Sequence, residues 1–160
     1  MKFIADLKKY ELNHLLQRFG IQLIVIPDGD NIPGSYWGAP EAGIIKNRLY
    51  VRNDTPVHSA LHESCHYICM DDDRRQVLDT DTGGDYEEEN GVCYLQIILS
   101  NFLTGVGDKV LKDDMDAWGY TFRLGSAKAW FESDAEDAQR WLVSRHILSH
   151  DNLPTWKTHF

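Results

Sequence analysis

His62-Glu63-Ser64-Cys65-His66 is the stretch of sequence that decides which fold this chain adopts. It has the form HExxH, with two histidines four residues apart and a glutamate after the first. On a helix four residues make about one turn, so the imidazoles of His62 and His66 project from one face and can hold one metal ion. Glu63 then faces the open side of that metal, where a carboxylate can take a proton from water and return it to a leaving amine. The motif predicts a zinc hydrolase with Glu63 as its general base.

The residues around the motif indicate that its helix is buried. Asn53-Asp54-Thr55-Pro56 is typical of the capped start of a helix. From residue 57 to residue 68 the only charged carboxylate or ammonium side chain is Glu63. Such a composition favours a helix inside a small domain over a surface helix. The alternative is that both histidines are ordinary buried side chains with hydrogen-bonding neighbours.

A catalytic zinc site needs a third protein ligand and one open position for water. Glu87, Glu88 and Glu89 are candidates because they begin the next predicted helix, 21 to 23 residues after His66. His58 is another candidate because histidine is a common zinc ligand. However, it precedes His66 by eight residues, which is about 12 Å along a straight helix and too far for both to share one ion. We therefore expect the third ligand to be a glutamate.

A strand and turn, an HExxH helix and a second helix that opens with a glutamate together resemble the gluzincin plan. More specifically, residues 21–99 resemble the small ImmA/IrrE-type metallopeptidases. The resemblance implies a zincin-like peptidase with bound Zn²⁺ and a peptide or protein substrate. Such proteins often cut or bind a transcriptional repressor, so the resemblance also suggests a repressor as the substrate.

In that family the third ligand opens the pattern E-x-x-A-N-x-F-A-x-x-L-L. Starting from Glu88, its small, aromatic and paired apolar positions fall on Gly91, Tyr94 and Ile98-Leu99. Starting from Glu89, the apolar pair becomes Leu99-Ser100. Val92 replaces the asparagine of the pattern. We predict Glu88 as the third ligand, with Glu89 as the alternative, while Glu87 matches least well.

The spacing of apolar residues predicts the remaining elements. An amphipathic helix is expected over residues 3–19, a strand over 21–26, and a hairpin over 43–51 with its turn at Lys46-Asn47. A helix from near Tyr86 to about Thr104-Gly105 follows the motif helix. Further helices are expected over 108–118 and 126–148, the last with a break at Ser133-Asp134. These elements predict an α+β, zincin-like fold, in which a small antiparallel or mixed sheet packs on the HExxH helix and the ligand helix. We expect one domain over 1–160, with a metallopeptidase core at 21–103 and a helical extension at 104–160.

Composition excludes several classes of partner. The chain has 16 basic and 25 acidic residues, a net charge of −9, which argues against nucleic acid and anionic lipid as partners. No run of eighteen apolar residues and no signal-peptide pattern occurs. Three cysteines, Cys65, Cys69 and Cys93, fit a reducing compartment better than a disulfide framework. We expect a cytoplasmic protein whose cysteines are buried and do not bind the metal.

Other features leave alternatives open. Residues 79–85 partly resemble a calcium loop, but Asn90 stands where the bidentate glutamate belongs, so an acidic loop at the rim of the site is preferred. A substrate peptide is expected along residues 48–53. The candidates for the oxyanion-stabilising group are His58, Tyr50, Tyr67, Tyr86 and Tyr94, and the sequence does not decide between them. The rival function is a non-catalytic or regulatory metal-binding interaction module on the same scaffold, and the sequence leaves the oligomeric state open.

Overall fold

A three-stranded sheet and seven α-helices make up the computed structural model, which describes residues 1–160. The strands are β1 (Gln22–Val25), β2 (Gly43–Ile45) and β3 (Arg48–Val51). The helices are α1 (Glu11–Gln17), α2 (Val57–Cys69), α3 (Asp72–Gln76), α4 (Tyr86–Ser100), α5 (Gly107–Trp118), α6 (Ala127–Ser133) and α7 (Glu136–Ser144). The predicted α+β class with a small mixed sheet is confirmed.

The sheet has the order β1-β3-β2, with β1 parallel and β2 antiparallel to β3. The predicted hairpin is confirmed, since Lys46 and Asn47 connect β2 to β3 and Lys46 adopts a φ of 52°. Because β3 is the central strand, both of its edges are already paired. The expectation that a substrate peptide lies along residues 48–53 is therefore wrong for this strand.

The outer edge of β2 is also covered by the chain itself. The backbone N–H of Ile44 donates to the Gly34 carbonyl at 3.2 Å, and the Ile44 carbonyl accepts from the Thr80 N–H at 2.9 Å. The Lys46 N–H donates to the Leu78 carbonyl at 2.8 Å. The segment 78–80 thus completes this side of the sheet and leads directly into the loop before α4.

Helix α2, which carries the HExxH motif, is buried as predicted. Its partly exposed positions are His62, Glu63 and Tyr67, and the other ten of its thirteen residues are buried. It packs against α4, which in turn packs against α5 and α7. The core is continuous from α1 to residue 148. None of the helices combines the length and the apolar character that crossing a bilayer requires.

Both ends of α2 are tied to segments that are distant in sequence. At its start, the Val57 N–H donates to the Lys2 carbonyl at 2.9 Å, and the Ile4 N–H donates to the Thr55 carbonyl at 2.9 Å. At its end, the Ile68 carbonyl accepts from the His159 N–H at 2.8 Å. The buried Arg75 guanidinium strengthens this end, because it donates to the carbonyls of both Met70 and His159.

The predicted helix over residues 3–19 is wrong in its first half. Residues 4–6 form only a 3₁₀ turn, and Tyr10 takes a left-handed conformation with a φ of 69°, so α1 begins at Glu11. The contacts of residues 2–4 with the start of α2 favour the extended form there. The break within the last predicted helix is confirmed, since α6 and α7 are separated at Asp134-Ala135. Helix α3 was not predicted; Asp71 caps it by accepting from the Arg74 N–H at 2.9 Å.

Candidate metal centre

Three ligand-type side chains from α2 and α4 meet at one point. His62 Nε2 lies 3.2 Å from His66 Nε2, 3.1 Å from one oxygen of Glu89, and His66 Nε2 lies 3.0 Å from the other. Ligand atoms on a tetrahedral zinc with bonds of about 2.0–2.1 Å are separated by about 3.3 Å. The three side chains therefore approach one another at about the separation of ligands on one zinc ion, with one ligand atom from each within 4.8 Å of the others. They are the group of residues that could hold a metal ion.

The structure reverses the sequence preference for Glu88. The Glu88 side chain is buried, with the residue 4% exposed, and its carboxylate accepts from Arg74 Nη1 at 2.8 Å, away from the histidines. Glu89 points at the two histidines instead. Successive residues of an α-helix are rotated by about 100°, so one residue decides which partner a side chain reaches. Side-chain size along the family pattern carries no information about this rotation.

Gln96 holds His62 in place from behind. The buried Gln96 Oε1 accepts from His62 Nδ1 at 2.7 Å, while its Nε2 donates to the His58 carbonyl at 3.2 Å. Since the amide nitrogen is used by that carbonyl, the oxygen faces His62, and His62 carries its proton on Nδ1. When His62 is neutral, the lone pair of Nε2 is then directed at the candidate metal position. Sequence reasoning missed Gln96, although it is a polar residue in an apolar run and lies two turns after Glu89 on the same helix face.

Glu63 faces the open side of the cluster and makes no hydrogen bond or ion pair with another side chain. Burial raises the pKa of Glu63 to about 7, and the negative charges of Glu41 and Glu89 add to the effect, while His62 opposes it. A carboxyl group with a pKa in this range exchanges protons near neutral pH. Burial also acts on Glu89, but hydrogen bonds with His62 and His66 outweigh it and hold the pKa of Glu89 well below its usual range.

A tyrosine that sequence reasoning missed stands beside the histidines. The Tyr120 hydroxyl lies 3.1 Å from His58 Nδ1, and its ring is centred 5.6 Å from that of His62. Burial raises the pKa of Tyr120 to about 12, so the phenol remains a hydrogen-bond donor. Of the residues predicted to stabilise an oxyanion, the four tyrosines do not line the cleft at the cluster, and His58 reaches it only through Tyr120. Tyr120 follows a helix stop at Gly119, a position with no motif that could have identified it.

A cleft of about 650 Å³ opens over the cluster. Residues 80–84 form part of its rim, as predicted for the acidic loop, and Trp118-Gly119-Tyr120 supply another wall from the segment after Asn101. The His62 side chain is 17% and the Glu89 side chain 47% exposed, so the wall flanks the cluster without covering it. The three cysteines are free and buried and are not part of the cluster.

Comparison of the chain with protein-family models, with curated proteins and with solved structures gave no match. The resemblance to the ImmA/IrrE-type metallopeptidases thus stays a prediction. Any assignment of function rests on the geometry of the cluster and its cleft.

Proposed function

We propose that this chain is a zinc-dependent metallopeptidase of zincin-like architecture, in which His62, His66 and Glu89 hold the metal and Glu63 is the general base. The observation that carries the proposal is the cluster itself. Three ligand-type side chains meet with contacts of 3.0–3.2 Å, one ligand atom from each lies within 4.8 Å of the others, and an unpaired carboxylate stands on the open side in a cleft. A structural zinc site has no use for that carboxylate and usually fills its fourth position with a protein ligand.

The residues of the cleft have distinct parts in this reaction. When bound, zinc supplies a Lewis acid that polarises the scissile carbonyl and makes water more acidic. Glu63 accepts a proton as the oxygen of water bonds to the carbonyl carbon, and it returns a proton to the amine nitrogen as the carbon–nitrogen bond breaks. The Tyr120 hydroxyl donates a hydrogen bond to the carbonyl oxygen as that oxygen becomes negative. The products are a carboxylate and an amine.

The wider features are consistent with a peptide or protein as the substrate. The cleft carries no lysine or arginine, which disfavours the phosphate backbone of nucleic acid. The order of a small mixed sheet, an HExxH helix and a helix bearing the third ligand supports the zincin-like arrangement. Three free, buried cysteines favour a reducing compartment, in keeping with the cytoplasm.

The test compares zinc content and hydrolysis in parent and Glu63→Gln proteins. Metal is measured by mass spectrometry, and activity is followed with a library of quenched fluorescent peptides. We expect about one zinc per chain in both proteins and a loss of at least about 100-fold in hydrolysis in the variant, the size expected when a general base is removed. Glu87→Gln is the control, because it makes the same chemical change on an exposed residue outside the cleft.

Two results would contradict the proposal. A folded parent that takes up no zinc after the metal is added back would contradict the assignment of a metal centre. Full activity in Glu63→Gln would contradict the assignment of Glu63 as the general base. Zinc binding without cleavage of any peptide would favour the non-catalytic interaction module.

A further inference from the structure

We infer that the cleft selects substrates with a cationic group, an ammonium or a guanidinium, which Glu41 binds beside the rings of Trp37 and Trp118. This inference rests on the proposed function, because it names the substrate class of the same cleft. Three observations support it: the acidic lining of the cleft, two exposed aromatic rings, and the hydrogen bonds that already occupy the outer edge of β2.

The charge of the cleft has one sign. Its acidic lining residues are Glu41, Glu63, Asp81 and Glu89, and no lysine or arginine lines it. Glu89 is engaged by the two histidines, whereas the other three carboxylates form no ion pair with a basic side chain. A divalent ion at the candidate centre neutralises two of the four charges, so the cleft remains acidic. A cationic group is the complement that such a site attracts.

Glu41 is fixed against an aromatic ring. Its Oε1 accepts from the indole Nε1 of Trp118 at 2.9 Å, and Trp118 also packs near His58 with ring centres 5.1 Å apart. Trp118 is nevertheless 41% exposed. A carboxylate at the edge of a partly exposed indole brings together the two kinds of group that bind ammonium and guanidinium ions in proteins.

Trp37 extends this aromatic surface at the rim. It is 80% exposed and contacts the ring of Tyr36 edge-on, with ring centres 5.0 Å apart. Such an exposed tryptophan contributes little to the stability of the fold. A ligand that covers the ring would remove its apolar surface from water. The position of Trp37 on the cleft therefore points to contact with a bound molecule.

The edge of β2 is not free to hold a peptide by main-chain hydrogen bonds. A peptide can bind by adding a strand to an open sheet edge, in which case its backbone supplies most of the affinity. Here the outward N–H and carbonyl of Ile44 in β2 are already bonded to Gly34 and Thr80. A bound peptide therefore cannot be recognised by strand addition to β2, which increases the weight of its side chains and terminus.

The location of Glu41 indicates which part of the substrate carries the charge. The N–H of the next residue, Ala42, donates to Ser59 Oγ at 3.0 Å, and Ser59 precedes Glu63 by one turn of α2. Glu41 and Glu63 line the same cleft, so the cationic group lies near the bond that is cut. It is either the amino terminus of the substrate or the side chain of a lysine or arginine.

Four versions of one cleaved peptide test this inference. They combine a free or acetylated amino terminus with lysine or glutamine near the cleaved bond, and kcat/KM is measured for the zinc-loaded parent, Glu41→Gln and Trp37→Ala. We expect the parent to prefer a cationic over the fully neutral peptide by about tenfold or more, and both variants to reduce that ratio toward one. The peptide pair that shows the preference identifies the terminus or the side chain as its source. Glu87→Gln, with its carboxylate outside the cleft, should keep the parent's ratio.

A binding measurement separates this inference from the proposed function. The same peptides are titrated into zinc-loaded Glu63→Gln protein, which requires no turnover. Tighter binding of the cationic peptides, weakened by adding Glu41→Gln, supports the inference even if no peptide is hydrolysed. Equal binding of cationic and neutral peptides, or a ratio that Glu41→Gln leaves unchanged, would overturn it.

Discussion

At the scale of single residues, two neighbouring glutamates have opposite surroundings. Glu89 joins the histidines at the cleft, while Glu88 is buried on the other side of α4 against Arg74. One carboxylate is thus available to a cation from solution, and the other already has a cationic partner within the chain. A rotation of about 100° between adjacent helical residues accounts for the difference.

Exchanging each glutamate for glutamine should separate these two roles. Glu89→Gln is expected to lose most of the bound zinc. Glu88→Gln should keep about one zinc per chain but unfold more easily, by about 1–3 kcal/mol, because Arg74 loses the charge of its partner. Metal content by mass spectrometry and urea unfolding provide the two readouts. Loss of zinc in Glu88→Gln alone would restore the ligand that the sequence pattern favoured.

The residues of the candidate site differ in how far the sequence could predict them. His62, Glu63 and His66 follow from local helical spacing, and the short run 87–89 narrows the third ligand to three neighbours. Gln96 and Tyr120 come from separate elements, and their positions depend on how α4 and the segment after α5 pack on α2. The packing of distant segments cannot be predicted from a local sequence pattern. Gln96 and Tyr120 were therefore identified only from the structure.

At the scale of elements, prediction succeeded where a helix or hairpin has its own strong signal. The apolar spacing of α4 and the turn between β2 and β3 are local properties, and both elements form close to the expected bounds. The first residues failed because contacts with the start of α2, some fifty residues later, replace their helical bonds. Amphipathic spacing alone could not reveal that competition.

Helix α2 also contains a buried histidine outside the cluster, and its burial predicts a pH effect. Burial lowers the pKa of His58 to about 3, with the charge of His62 adding to the effect, whereas an unfolded histidine has a pKa of about 6.5. Below pH 6.5 the unfolded chain therefore binds a proton that the folded chain does not. Stability should fall as the pH falls from about 6.5 toward 3, by up to about 1.4 kcal/mol per pH unit.

Replacing this histidine should flatten that dependence. His58→Asn retains a hydrogen-bonding group beside the Tyr120 hydroxyl and removes the titrating ring. Urea unfolding of metal-free protein at pH 7.5, 6, 5 and 4 is expected to show a smaller acid loss in the variant than in the parent. The exposed His14→Asn serves as the control. Parallel pH profiles for the parent and His58→Asn would show that His58 is not the group responsible.

At the scale of the whole molecule, one hydrophobic core joins the segments on both sides of residues 21–103. Side chains from α1 and from α5 to α7 are buried in the same cluster as those of α2 and α4, among them Leu16, Leu111, Met115 and Leu142. The segment 104–160 also contributes Tyr120 to the cleft. Helices α2 and α4, which carry the candidate metal ligands, therefore depend on both flanks for their burial.

A fragment of residues 21–103 is accordingly expected to lack a stable fold. Removing the flanks exposes the apolar faces of α2 and α4, and the loss of buried area should exceed the few kcal/mol by which small domains are stable. We expect no cooperative thermal transition in circular dichroism, while residues 1–160 show one. A cooperative transition together with zinc binding in the fragment would show that the predicted core is self-sufficient.

The ties at the two ends of α2 set an order of events during folding. They join residues 2 and 57 at the start of the helix and residues 68 and 159 at its end. Contacts between residues so far apart close large loops and form late, after local helices and turns. The helix bearing both histidines therefore reaches its final bounds only when the rest of the molecule has assembled. We therefore expect the three candidate ligands to come together only in the assembled molecule, which would confine the proposed metal binding and cleavage to fully folded protein.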